Sequence, residues 1–135
     1  MNGNEGEKQK KTDDIVETHL GIGLAIAHYL LKQKCCVVTV ARSKEPMQAL
    51  SRRYPGQVEV LAGDVSDLSL GKKAAELAQS KWQRLDGVIV NHGILDPVKR
   101  IANVEAEEWR QLFDVNVFSA VALVSVGFSF SLSKW

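Results

Sequence analysis

Glycine and polar residues stand where apolar runs meet helical periods. Gly21-Ile22-Gly23 opens one such period, and Arg42-Ser43 follows the run Cys36-Val37-Val38-Thr39-Val40-Ala41. Gly63-Asp64-Val65 follows Val58, Val60 and Leu61, and Asn91-His92-Gly93 follows residues 88–90. A turn of this kind brings backbone N–H groups and the positive end of a helix to an anion. The order and spacing are those of strand–turn–helix units that bind nucleotides. Each group also has a plainer reading. The glycines allow tight packing of a helix on a sheet, Arg42 is an exposed strand-end arginine, and Asp64 caps the next helix in competition with Asp67. His92 has no nucleophile or metal partner at matching spacing, so it reads as a tolerated variant rather than a base. No metal site is expected.

The elements that must carry these groups alternate. Residues 20–33 read as a helix, with Ile22, Ile26, Tyr29 and Leu30 at helical spacing. The β-branched run at 36–41 suits a parallel strand covered on both faces. Ser43 is expected to cap a helix reaching Arg53, with Pro46 in its first turn. A short strand at Val58, Val60 and Leu61 precedes a helix over 70–84, whose inner stripe is Ala74, Leu77, Ala78 and Trp82. Asp86-Gly87 breaks that helix, and a strand at 88–90 follows. A long helix over 106–124 is expected to face Trp109, Leu112, Phe113, Asn116, Val117 and Ala120 inward. Strands alternating with helices of this length predict βαβ units in a parallel sheet.

With 135 residues, 45% of them apolar and 24% charged, the chain has room for one compact domain. A formal charge of +1 gives no electrostatic reason to expect nucleic acid or an anionic membrane as partner. The neighbouring Cys35 and Cys36 form no spaced framework, which suits a reduced, cytoplasmic setting. Residues 1–14 are polar and of mixed charge, lack the apolar stretch of a secretory signal, and read as disordered. Residues 115–133 carry no charge, but Asn116, Gly127 and five serines dilute their hydrophobicity. They read as a buried helix with an irregular tail rather than a membrane span.

Taken together, the motifs at the strand ends, with Phe113-Asp114-Val115-Asn116-Val117 in the long helix, resemble the short-chain dehydrogenase/reductase family. The likeness runs from about residue 20 to residue 124 and leans toward fungal reductases of the sepiapterin- or benzil-reductase type. It implies a Rossmann-type doubly wound parallel sheet and an NADP-dependent reduction of a small-molecule carbonyl to an alcohol. Gly21, Ile22 and Gly23 resemble the end of the family's TGxxxGxG pyrophosphate turn. Arg42 and Ser43 fall where the fold meets the adenosine ribose; a basic residue there accommodates a 2′-phosphate and favours NADP over NAD. Asp64 and Val65 resemble the pair that meets the adenine ring. Asn91-His92-Gly93 resembles an Asn-Ala-Gly turn lying against the cofactor, with histidine in place of a small residue. Asn116 resembles the helical asparagine that supports a proton relay. The helix at 106–124 resembles one that makes subunit contacts.

The pattern also departs from the family. The opening Thr-Gly of the turn falls on Val16-Glu17, where a β-carbon and a negative charge stand near the pyrophosphate position. Only Ile15 and Val16 are available for the strand before it, so most of the first strand is expected to be missing. Its neighbours at 37–41 and 88–91 would then be left with unpaired backbone groups. The family's catalysis implies a tyrosine general acid with a lysine four residues later. Tyr29 is followed at that distance by Gln33 and Tyr54 by Val58. The expectation is therefore a partial Rossmann domain over 15–124 flanked by a polar 1–14 and a non-family 125–135. Such a chain is inactive alone; the alternative is a non-catalytic nucleotide-binding or interaction module that pairs with a full-length paralogue.

Overall fold

The computed structural model describes residues 12–16, 21–96 and 98–132. Four strands form one parallel sheet: β1 (Thr12–Val16), β2 (Cys36–Ala41), β3 (Val58–Ala62) and β4 (Gly87–Val90), in the order β3-β2-β1-β4. The connecting helices are α1 (Ile22–Lys32), α2 (Glu45–Arg53) and α3 (Leu70–Trp82). After β4 come a short 3-10 turn (Ile101–Asn103), α4 (Ala106–Phe113), a π-helical turn (Asp114–Phe118) and α5 (Ser119–Leu132).

β1 corrects the expectation of a missing first strand and of disorder through residue 14. Its five residues pair with β2 on one side, Thr12 opposite Cys36 through Val16 opposite Val40. On the other side they pair with β4, Asp13 opposite Gly87 through Val16 opposite Val90. A slot between two parallel strands needs backbone donors and acceptors on both edges, and Thr12–Val16 supplies them. The strands expected to lose their shared neighbour keep it. The Glu17 position of the glycine turn lies outside the described residues.

Successive residues of β2 feed two cores, as a pleated strand requires. Val37 packs with Ala27 and Leu31 of α1, Leu50 of α2, and Val58. Val38 and Val40 pack with Leu70, Ala74, Ala75 and Ala78 of α3 and with Leu123 of α5. Helices thus cover both faces, and the apolar run 36–41 is buried throughout. The stripe expected on α3 is borne out, with Leu77 and Trp82 completing the same cluster. On α1 the buried positions are Gly23, Ala27 and Leu31, while Ile22 and Tyr29 are exposed.

Two helix expectations change. Ser43 does not cap α2: the capping position is Lys44, and no side chain bonds the first turn. Pro46 in that turn has no N–H to cap. The long helix carries a different inward stripe. Val115, Ser119 and Leu123 are buried, whereas Trp109, Phe113 and Val117 stand exposed. The backbone then stays helical to Leu132, so the irregular tail expected from 125 is instead the end of α5. Residues 133–135 lie outside the described residues. A close approach fixes this last stretch: a β-carbon on Gly127 would come within 2.9 Å of Val88 Cγ2 on β4. Among the described residues, no helix is long and apolar enough to cross a membrane.

Candidate functional site

The register levels the carboxyl ends of all four strands. Val16 stands opposite both Val40 and Val90, and Val40 opposite Leu61. The Gly63 N–H extends the ladder by one bond, 3.1 Å to the Ala41 carbonyl. Arg42, Asp64 and Asn91 therefore leave the sheet along one edge. In open α/β sheets that edge is where ligands bind.

Gly21 precedes α1 with φ 99° and ψ −134°, a conformation open to glycine alone. A β-carbon there would meet nothing within 4 Å, so backbone geometry and not crowding demands the glycine. Among the described residues no side chain caps the first turn of the helix. Gly23 is buried and Ile22 exposed. The two glycines thus divide the alternative readings: Gly21 shapes the turn, and Gly23 packs the helix.

Arg42, Asp64 and Val65 share a cleft of about 300 Å³ with Ser66, Ile94, Glu107, Gln111, Asp114 and Val115. Ser66 donates to Asp64 Oδ1 twice, from its backbone N–H at 2.9 Å and its hydroxyl at 2.7 Å. These bonds hold the Asp64 carboxyl below the usual carboxylate range; slight burial opposes them and the Arg42 charge assists. Asp64 is therefore an anion with Oδ1 held by Ser66. Neither aspartate caps α3, whose capping position is Ser69 without a side-chain bond to the first turn. Asp67 closes the turn before it, accepting from the Ser69 N–H at 2.9 Å, the Ser69 hydroxyl at 2.7 Å and Lys73 Nζ at 3.1 Å. Its pKa drops to about 2, chiefly through Ser69. Ser43 is half-buried before α2 and does not line the cleft.

Beyond β4 the chain is clamped to the helix. Asn116 Oδ1 accepts from the Ile94 N–H at 2.7 Å, and Asn116 Nδ2 donates to the Ile94 carbonyl at 2.7 Å. One amide thereby satisfies both backbone groups of a residue that belongs to no ladder. Gly93 makes room for it: a β-carbon there would lie 3.2 Å from Asn116 Oδ1. Asn91 is half-buried at the strand end. His92 turns toward the helix, where Nε2 lies 3.0 Å from the Val115 carbonyl.

Ser66, Ile94, Glu107, Gln111 and Ser119 join the site without having stood out in the sequence. Ser66 had a signal, since Asp followed two residues later by Ser is the spacing of a side-chain-closed turn. Ile94 had none, because its contribution is its backbone. Gln111 was hidden by apolar neighbours that drew the inward face elsewhere.

A parallel sheet in the order β3-β2-β1-β4 with helices on both faces defines a Rossmann-type α/β fold, with a strained glycine before the first helix and a polar cleft at the strand ends. Comparison with known proteins places it further. The short chain dehydrogenase family matches residues 15–130. The chain is 43% identical over 105 residues to an uncharacterized oxidoreductase of Schizosaccharomyces pombe, covering 77% of this chain and 41% of that one. It is 36% identical over 113 residues to a benzil reductase ((S)-benzoin forming) of Saccharomyces cerevisiae, covering 78% and 43%. Among solved structures, the KRED1-Pglu enzyme matches with a TM-score of 0.85 at 32% identity, over 93% of this chain and 53% of that one. A short chain dehydrogenase/reductase from Saccharomyces cerevisiae matches with a TM-score of 0.84 at 28% identity, over 89% and 48%. The chain belongs to the short-chain dehydrogenase/reductase family of oxidoreductases and spans about two-fifths of the length of these two curated relatives. Because the family match reaches residue 130, most of the stretch beyond 124 expected to be foreign to the fold lies within it.

Proposed function

We propose that this chain forms the nucleotide-binding half of an NADP-dependent carbonyl reductase. The observation that carries the reading is the cleft in which Arg42 and Asp64 meet at the carboxyl edge of the sheet. A bound nicotinamide cofactor supplies the hydride that reduces a carbonyl. The groups present fit its adenosine end. Gly21 and the N-terminus of α1 receive the pyrophosphate, with Ile22 and Gly23 continuing the turn. Arg42 meets the 2′-phosphate, Asp64 and Val65 hold the adenine, and Asn91 and Gly93 form the wall beyond β4. Ser43 stands beside Arg42 without reaching the cleft and contributes through the backbone at most.

Asn116 occupies the relay position and fixes the backbone at Ile94. The tyrosine and lysine of carbonyl reduction do not occur at four-residue spacing in this sequence, so turnover requires groups beyond those present. Exposed Trp109, Phe113, Val117, Phe118, Val121 and Val124 give the 106–124 helix an apolar outer face suited to a subunit contact. That face supports an oligomer, formed with a second copy or a full-length paralogue. Cys35 and Cys36, buried and outside any disulfide, suit a cytoplasmic setting.

Calorimetric titration with NADPH and NADH tests the proposal. Charge-assisted contact with a phosphate is worth about 1.5–3 kcal/mol, which is roughly 10- to 150-fold in affinity. NADPH should bind tighter by that factor, and Arg42→Ala should abolish the preference. Equal affinities in the unaltered chain overturn the NADP assignment, and failure to bind either overturns the nucleotide reading.

A further inference from the structure

The π turn at Asp114–Phe118 changes which backbone groups are satisfied within the helix. An α-helix would direct the Ser119 N–H to the Val115 carbonyl, but here that N–H bonds Asp114. The Val115 carbonyl finds side-chain donors instead. His92 Nε2 approaches it at 3.0 Å, and the Ser119 hydroxyl donates to it as well. Nε2 also meets Ser119 Oγ, so three polar atoms close a small triangle beneath β4. A carbonyl only accepts, so the contact with Val115 assigns the ring hydrogen to Nε2, while the buried Nδ1 has no hydrogen-bond partner among the described residues. Ser119 is 2% exposed, and His92 does not line the nucleotide cleft. The imidazole therefore serves the helix rather than a ligand.

One added residue in a helical turn rotates the following residues by about 100°. The π turn thus sets the direction in which Asn116 leaves the helix, and Asn116 sets Ile94. Both Ile94 and Val115 line the cleft. We infer that His92 is a positioning residue for the nucleotide cleft: by donating to the Val115 carbonyl it holds the π turn in the register that aims Asn116 at Ile94. A small side chain at 92 would leave that donor missing. The effect on nucleotide affinity rests on the reading under Proposed function; the effect on Asn116 and Ile94 does not.

The test compares the full chain with His92→Ala, His92→Gln and Ser119→Ala by NMR, first without ligand and then with NADPH. Loss of one hydrogen bond to a partly buried carbonyl corresponds to about tenfold in the local opening equilibrium. His92→Ala should speed exchange of the Ile94 amide about tenfold, move the Asn116 side-chain amide resonances and weaken NADPH by a similar factor. Glutamine can place its amide nitrogen near the Nε2 position, so His92→Gln should restore most of each effect. Unchanged Ile94 exchange and Asn116 resonances in His92→Ala, with only a lower melting temperature, would overturn the inference. Should that variant not fold, Ser119→Ala decides, since it removes one donor and loosens the other; unchanged Ile94 exchange there is equally fatal. Failure of the unaltered chain to bind NADPH would sink the functional reading alone, because the ligand-free exchange rates still judge His92. Normal NADPH affinity in a loosened His92→Ala would remove its role at the cleft.

Discussion

Replacing Asn116 by aspartate changes one atom's chemistry at the centre of the site. Oδ1 can still accept from the Ile94 N–H, but the Nδ2 donor becomes an oxygen facing the Ile94 carbonyl at the present separation of 2.7 Å. Two acceptors then oppose each other in a half-buried position. Losing the bond and leaving that carbonyl unpaired should cost about 2–3 kcal/mol. For a chain of this size the melting temperature should fall by roughly 8–12 °C. The penalty must depend on pH. A protonated carboxyl can donate to Ile94, so the folded state favours the proton and the variant's folded pKa rises above its unfolded value of about 3.9. The native form then binds more protons than the unfolded one, and stability relative to the unaltered chain falls as pH rises through the folded pKa. Thermal melts of both chains between pH 4 and 8 measure this. A deficit that is negligible at pH 8, or that does not shrink toward pH 4, would refute the clamp.

Other consequences follow from single groups. Gly21→Ala places a β-carbon on a backbone at φ 99°, ψ −134° and should lower stability by about 1–3 kcal/mol in denaturant titrations, despite the open space around it. Gly93→Ala brings a β-carbon to 3.2 Å from Asn116 Oδ1, so Ile94 amide exchange should quicken several-fold. Asp67 has its pKa depressed from 3.8 to about 2, so its stabilisation is present above pH 4 and lost as pH falls toward 2. Asp67→Asn should therefore flatten the acid limb of the stability profile in that window. Ser66→Ala removes a hydroxyl donor to Asp64, and the Asp64 carboxyl should titrate at higher pH by carbon-detected NMR.

Hydrophobic periodicity made the strands Cys36–Ala41, Val58–Ala62 and Gly87–Val90 and the helix Leu70–Trp82 legible, most plainly at Cys36–Ala41, where burial on both faces leaves an almost unbroken apolar run. Thr12–Val16 was not, since Asp13 and Asp14 interrupt the apolar pattern while its place is secured by backbone pairing on two sides. The inward face of the long helix was misread for two reasons. Trp109 and Phe113 show that a face wants cover without saying what covers it, and the π turn breaks the 3.6-residue period on which the stripe was drawn. At the site, the positions singled out by resemblance fall together in part: Arg42, Asp64 and Val65 line one cleft, and Asn116 lies against Gly93 and Ile94. The Ile94 clamp and the His92 contact were not legible, because both depend on backbone atoms that every residue shares.

The most direct measurement is chemical-shift mapping of the isotopically labelled chain on addition of NADPH. The account predicts changes confined to the carboxyl edge of the sheet: Gly21 and Gly23, Arg42, Asp64 and Val65, and the stretch from Asn91 to Ile94. Changes clustered at the opposite edge, around Cys35, Gln57 and Leu85, or none at saturating nucleotide, would contradict it.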